Sequence, residues 1–218
     1  MSMHRRVLTL VSLALASVSA APAFAQGPVV LPIADAKTRV AVEQEIARAA
    51  ARGLPVQPLI AKAMEGVTKQ ATGERIQVAV TSLAKRLELA RTLLAPSTSV
   101  ADLTAGADAL AIDVPGAMLK QIRAAWPVER SVAMPIDVLT ELVARGIPAR
   151  HALEQITALM ARGATPSQIA ALGMSVQADV AAGLAPDAAL EVRARGVMSL
   201  LPSPAAAAAS APSGVRRP

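Results

Sequence analysis

The sequence predicts an all-α protein, an irregular helical repeat or multi-helix bundle of about nine short helices, and three observations lead there. Apolar residues recur at helical spacing along most of the chain. Gly, Pro and Thr punctuate it where one helix can stop and the next begin, and no stretch alternates apolar and polar residues as a half-buried strand would. The composition suits a packed protein: 53% of the 218 residues are hydrophobic and only 12 are Gly, which excludes collagen-like and strongly disordered classes.

The chain opens with Arg5 and Arg6, an apolar run from Val7 to about Ala20, then Pro22 and Ala23-Phe24-Ala25 before Gln26. This is the layout of a secretory signal peptide, residues 1–25, cut after Ala25. An uncleaved N-terminal membrane anchor is the alternative, because the apolar run is nearly long enough to span a bilayer. The arginine pair is followed by Val7-Leu8-Thr9-Leu10, a poor match to a twin-arginine signal, so ordinary secretion is expected. Residues 26–34 contain Pro28 and Pro32 and lack helical spacing; they read as an extended lead-in.

Residues 35–201 carry the helical pattern. Ile76, Val80, Leu83, Leu87, Ala90 and Leu94 recur in steps of four and three, the stripe of one helix face. Ala152, Leu153, Ile156, Leu159 and Met160 form a second stripe, Ile169, Leu172, Val176 and Val180 a third, and Met118, Leu119, Ile122 and Trp126 a shorter one. Prolines at 55, 115, 135, 148, 166 and 186 stand where new helices begin. Thr165 with Gln168 makes a capping box, and Thr72 stands at an equivalent start. The tail, residues 202–218, holds four prolines and five consecutive alanines. It offers little large apolar surface to bury and is expected to be disordered.

An internal duplication, about 38–94 and 131–187, underlies the pattern. A shift of 93 residues lays Ala51-Arg52-Gly53-Leu54-Pro55 on Ala144-Arg145-Gly146-Ile147-Pro148 and, without a gap, Lys69-Gln70-Ala71-Thr72 on Arg162-Gly163-Ala164-Thr165. Seven of the 26 pairs from 51 to 76 are identical, and the Gly, Pro and Thr matches carry the weight because alanines coincide by chance. The expected unit is helix–turn–helix used twice, with Gly closing one helix and Pro or Thr opening the next. Its spacing fits no named repeat motif.

Composition excludes several chemistries. The chain has no Cys and no Tyr, so disulfides, Fe–S clusters, Cys zinc sites and a lipid-modified N-terminal Cys are ruled out. Removal of residues 1–25 takes the only Phe and leaves Trp126 as the sole aromatic, so there is no platform for stacking nucleobases. That cleavage also removes two arginines and no acid, lowering the formal charge from +6 to +4. Such a weak, dispersed charge argues against nucleic acid as a partner, and no later apolar run is long enough for a stable membrane span.

Candidate reactive residues are sparse. His151, the one histidine left after cleavage, has no partner ligands for a metal and is expected to be an exposed residue in the first turn of a helix. Asp102 and Asp187 sit near helix starts, where a carboxylate complements the helix dipole; Glu43, Glu45, Asp108 and Asp179 are scattered. Neither a Gly-x-Ser-x-Gly elbow nor a Gly-rich phosphate loop occurs. No catalytic, cofactor or metal residue is therefore assigned. Trp126 is expected to fill a gap between helices.

The candidate ligand-binding positions are Arg52, Lys69, Arg145 and Arg162, cations at duplicated helix ends. They either close helix C-termini or lie along one edge and bind an anionic ligand. The sequence thus points to a non-enzymatic, exported scaffold or binding protein, periplasmic or secreted, whose partner is a protein or an anionic cell-envelope component. The alternatives are an envelope enzyme using paired carboxylates and a protein held at the membrane by its N-terminal segment.

Overall fold

The computed structural model describes residues 31–202; the signal peptide, the start of the lead-in and all but the first residue of the tail lie outside them. Among the described residues there are nine α-helices and no strand: α1 (Ala36–Ala51), α2 (Gln57–Thr68), α3 (Gly73–Leu93), α4 (Val100–Ala111), α5 (Gly116–Ala125), α6 (Ala133–Ala144), α7 (Ala149–Ala161), α8 (Pro166–Ala181) and α9 (Pro186–Ser199). No described helix is long and apolar enough to cross a membrane.

Helices α1, α2, α4, α6, α7 and α8 end in the same way. Gly53, Gln70, Asp113, Gly146, Gly163 and Gly183 follow them with positive φ, from 52° at Gln70 to 98° at Gly183. The next N–H then reaches back five residues, as from Leu54 to the Ala49 carbonyl at 3.0 Å and from Ile147 to the Leu142 carbonyl at 3.2 Å. This is the Schellman closure, which satisfies carbonyls that the helix leaves open and turns the chain for the next helix. The turns at 53 and 146, and those at 70 and 163, are related by the 93-residue shift. Asp113 and Gly183 repeat the geometry where sequence matching found no partner. Thr72 caps α3 by accepting from the Arg75 N–H, and Thr165 with Gln168 forms the complete capping box of α8.

Helices two apart in the chain pack together. One row runs α1, α3, α5, α7, α9 and a second runs α4, α6, α8, with α3 on α4 and α8 on α9 joining the rows. The predicted stripes face inward: Ile76, Val80, Leu83, Leu87, Ala90 and Leu94 are buried, as are Leu153, Ile156, Leu159, Ile169, Leu172 and Val176. Leu31 and Ile33 of the lead-in are also buried, although their segment has no regular structure. Two apolar clusters result, an N-terminal one from Leu31 to Ala107 and a C-terminal one from Leu94 to Leu201. Helix α4 belongs to both, giving Leu103 and Ala107 to the first and Ala105 and Ala109 to the second.

The two shifted units differ at their middle helix. Helix α2 lies directly on α3, whereas its counterpart α7 packs on α5, α6 and α9. At the α2–α3 crossing Gly66 faces Ile76, and a Cβ there would sit 2.7 Å from Ile76 Cγ1. The position shifted by 93 is Leu159, which could not approach α8 so closely.

Asp102 is the one buried acid among the described residues. Its Oδ1 accepts from Ser131 Oγ at 2.5 Å and from the N–H groups of Val132 and Ala133 at 3.0 Å each, and Oδ2 accepts from Ser97 Oγ at 2.6 Å. It stands in the first turn of α4, as expected. It also caps the start of α6, thirty residues on, where Val132 offers no side-chain cap. Helix α6 begins at Ala133, so Pro135 lies within its first turn rather than at its opening.

Candidate functional site

The four duplicated cations are all C-cap residues, of α1, α2, α6 and α7. Arg52 pairs with Glu45 at 3.6 Å and Glu88 at 3.5 Å, and Lys69 with Glu65 at 2.5 Å. Arg145 pairs with Glu141 at 2.7 Å, while Arg162 donates to the carbonyls of Pro202 and Leu201 at 3.1 and 3.4 Å. Each thus has a partner within the chain. Arg52 and Lys69 flank opposite ends of the 12-residue α2, about 18 Å apart at 1.5 Å per residue, and Arg145 and Arg162 flank α7 likewise. The four share no ion-pair or hydrogen-bond partner.

A different set of cations is unpaired. Arg75, Lys85 and Arg86 of α3 have no carboxylate within 4.0 Å among the described residues. They line two grooves along α3. The first, of about 540 Å³, lies between α2 and α3 and holds Lys62, Thr72, Glu74, Arg75, Val78, Ala79, Ser82 and Arg86. The second, of about 550 Å³, shares Glu74, Val78 and Ser82 and adds Gln77, Thr81 and Lys85. Helical geometry explains the alignment: Arg75 and Arg86 are eleven residues apart, three turns, on the flank of α3 beside the buried stripe and facing α2, whereas Lys85 stands on the side opposite that stripe.

Within the first groove Arg86 donates to Ser82 Oγ at 2.8 Å, and its buried Nε has no partner. Lys62 is held by Glu65 at 2.8 Å. Hydrogen bonds from Lys62 and then Lys69 depress the Glu65 carboxyl to about 2. Val78 is 63% exposed on the ridge between the grooves. The sole acid in their lining is Glu74; Asp108 of α4 lies close enough to feel the charges of Arg86 and Lys62. Reading the polar face of the α3 stripe, rather than the helix ends, was the signal that would have found this set.

Other polar groups fall elsewhere. Asp108 and Asp137 both have raised carboxyl pKa values because nearby protein strips part of their hydration, and Asp137 is raised further by the negative charges of Asp108, Asp102 and Glu141. His151 is half-buried rather than exposed, because α9 folds against α7 and places the Asp187 carboxylate 3.1 Å from its Nδ1. Trp126 is 4% exposed, with the Arg130 guanidinium 5.7 Å from its ring centroid. Beside it the buried Arg123 donates to the carbonyls of Trp126, Pro127 and Arg130 at 2.9, 2.5 and 3.1 Å, closing the end of α5. No group of three metal-ligating side chains occurs among the described residues.

The chain matches no protein family, and no curated protein or solved structure is significantly similar to it.

Proposed function

We propose that this protein is an exported, non-enzymatic helical scaffold that binds a partner through the grooved face of α3. The observation that carries this reading is the division of its cations. Those at helix ends close the fold, whereas Arg75, Lys85 and Arg86 of α3 have no carboxylate partner among the described residues and stand beside the exposed Val78. Charged side chains without internal partners, next to a groove, are what a recognition surface requires. In this reading the N-terminal 25 residues direct export and are removed, and Arg52, Lys69, Arg145 and Arg162 serve as helix closers rather than as ligands for an anion.

Fractionation with intact-mass measurement tests export: the expected product is soluble, periplasmic or secreted, and lacks residues 1–25. A full-length product in the membrane fraction would instead identify a retained anchor. Charge reversal at Arg52 and Arg145 is expected to lower thermal stability and leave association with envelope or liposomes unchanged; loss of association would restore them as ligand-binding residues.

The raised Asp137 carboxyl, close enough to Asp108 to feel its charge, favours a second reading, an envelope enzyme working through paired carboxylates. Turnover of an envelope polymer that is abolished by Asp108→Asn and by Asp137→Asn would establish it and overturn the scaffold.

A further inference from the structure

Resting on the scaffold reading, we infer that the α3 grooves dock an extended acidic segment of a partner protein, with carboxylates near Arg75 and near Lys85 and Arg86 and an apolar side chain against Val78. The dimensions set the length. Eleven residues of helix separate Arg75 from Arg86 by about 16 Å, the reach of about five residues of extended peptide at about 3.3 Å each.

Chemistry selects the class of occupant. Arg86 is the best-placed anchor: its Nε is buried and one hydrogen bond to Ser82 holds the guanidinium in place at the groove. A guanidinium with free donors pairs bidentately with a carboxylate. Thr72, Thr81 and Ser82 supply hydroxyls for a peptide backbone along the same path. A phosphate polymer would satisfy the cations but has no use for the apolar strip of Val78 and Ala79 between them. Nucleobases lack a platform, because Trp126 is buried. Glu74, the acid in the lining, disfavours a uniformly charged polyanion and suits a ligand whose charges are spaced.

The second unit provides an internal control. Positions shifted by 93 from Lys62, Arg75, Val78, Lys85 and Arg86 are Gln155, Gln168, Ala171, Ala178 and Asp179. The buried stripe persists while every one of these groove positions changes, and α7 does not lie along α8 to make a groove. The cations of α3 are therefore not demanded by the helix-packing scheme.

The test uses the mature chain and a fluorescein-labelled peptide with spaced acids, Gly-Ser-Asp-Ser-Leu-Ser-Asp-Glu-Gly, followed by anisotropy. Saturable binding is expected, weakened by added salt and by replacing the central leucine with serine. The combined variant Arg75→Gln, Lys85→Ala, Arg86→Ala borrows residues or side-chain size already used in α8 and should keep the wild-type circular dichroism. It is expected to bind at least about tenfold more weakly, the loss of two or three charge-assisted contacts. Lys120→Gln with Arg195→Gln removes exposed charge away from the grooves and should bind as wild type.

Absence of peptide binding, equal binding by the combined variant, or equal binding of the Asn/Gln version of the peptide would overturn the inference. So would preference for inorganic polyphosphate or for anionic-lipid vesicles over the peptide, or self-association of the chain that disappears in the combined variant. These failures leave the scaffold standing if a partner is still bound through another face. A partner bound through another face removes α3 as the binding face but not the exported scaffold, which is removed by substrate turnover or by retention of the N-terminal segment.

Discussion

The units α1–α3 and α6–α8 share turn positions, buried stripes and a cation at each corresponding helix end, yet they solve two local problems differently. The first concerns how the leading helix is capped. Helix α1 is capped from within by Asp35, which accepts from the Thr38 N–H at 2.8 Å, whereas α6 relies on Asp102 from a different helix. The second concerns the middle helix, which lies along α3 in one unit and turns away from α8 in the other. A common turn skeleton therefore fixes where helices stop but not which neighbours they choose.

The capping contrast should give the largest effect. Asp102→Ala leaves the buried Val132 N–H without its acceptor, reduces the Ala133 N–H to its longer bond with Ser131 Oγ, and frees the Ser97 and Ser131 hydroxyls; it is expected to destabilise by about 3–4 kcal/mol. Asp35→Ala removes only an exposed local cap and should cost about 0.5–2 kcal/mol. Equal losses by urea denaturation would break the distinction between a long-range and a local cap.

Side-chain truncation ranks next. Leu153→Ala and Ile169→Ala should each cost about 2–5 kcal/mol. Ile60, the counterpart of Leu153, is only partly buried, so Ile60→Ala should fall below both. Denaturation midpoints that reverse this order would sink the assignment of α7 to the interior. Gly66→Ala sharpens the middle-helix contrast. The added methyl collides with Ile76 and should cost about 1–3 kcal/mol by overpacking, with weaker peptide binding as α2 is pushed from α3.

The smallest effects are titrations of opposite sign. Hydrogen bonding by Arg193 lowers the Asp179 carboxyl, so its stabilisation is present above the ordinary carboxylate range and fades as pH falls through the lowered pKa. Partial desolvation and neighbouring acids raise the Asp137 carboxyl, so the folded protein loses stability as pH rises through that range. Asp179→Asn should therefore lower the melting temperature at neutral pH, and Asp137→Asn should raise it. Both differences should shrink in acid. Shifts of the same sign would refute the two electrostatic environments.

Much of this architecture was legible because its causes are local. The stripe from Ile76 to Leu94 and the stops at Gly53 and Gly146 follow from helix period and backbone sterics within a few residues. The capping box at Thr165 is equally local. The contacts that escaped are made across long separations. Nothing near Val132 announces that Asp102 will cap it, and nothing beside His151 announces Asp187, 36 residues away. The internal partners of the duplicated cations were hidden for a related reason. Arg52 and Arg145 recur at corresponding helix ends, and the sequence does not show that each is engaged there by carboxylates of the same chain. Arg75, Lys85 and Arg86 have no repeated counterparts, and only the contact of α2 with α3 gives them a groove.

The dual allegiance of α4 has a mechanical consequence. A helix whose opposite faces are glued into separate apolar interiors cannot be melted on one side alone, so damage in either half is felt by the other. A single cooperative unfolding transition, with no stable half released by limited proteolysis near α4, is the expected result.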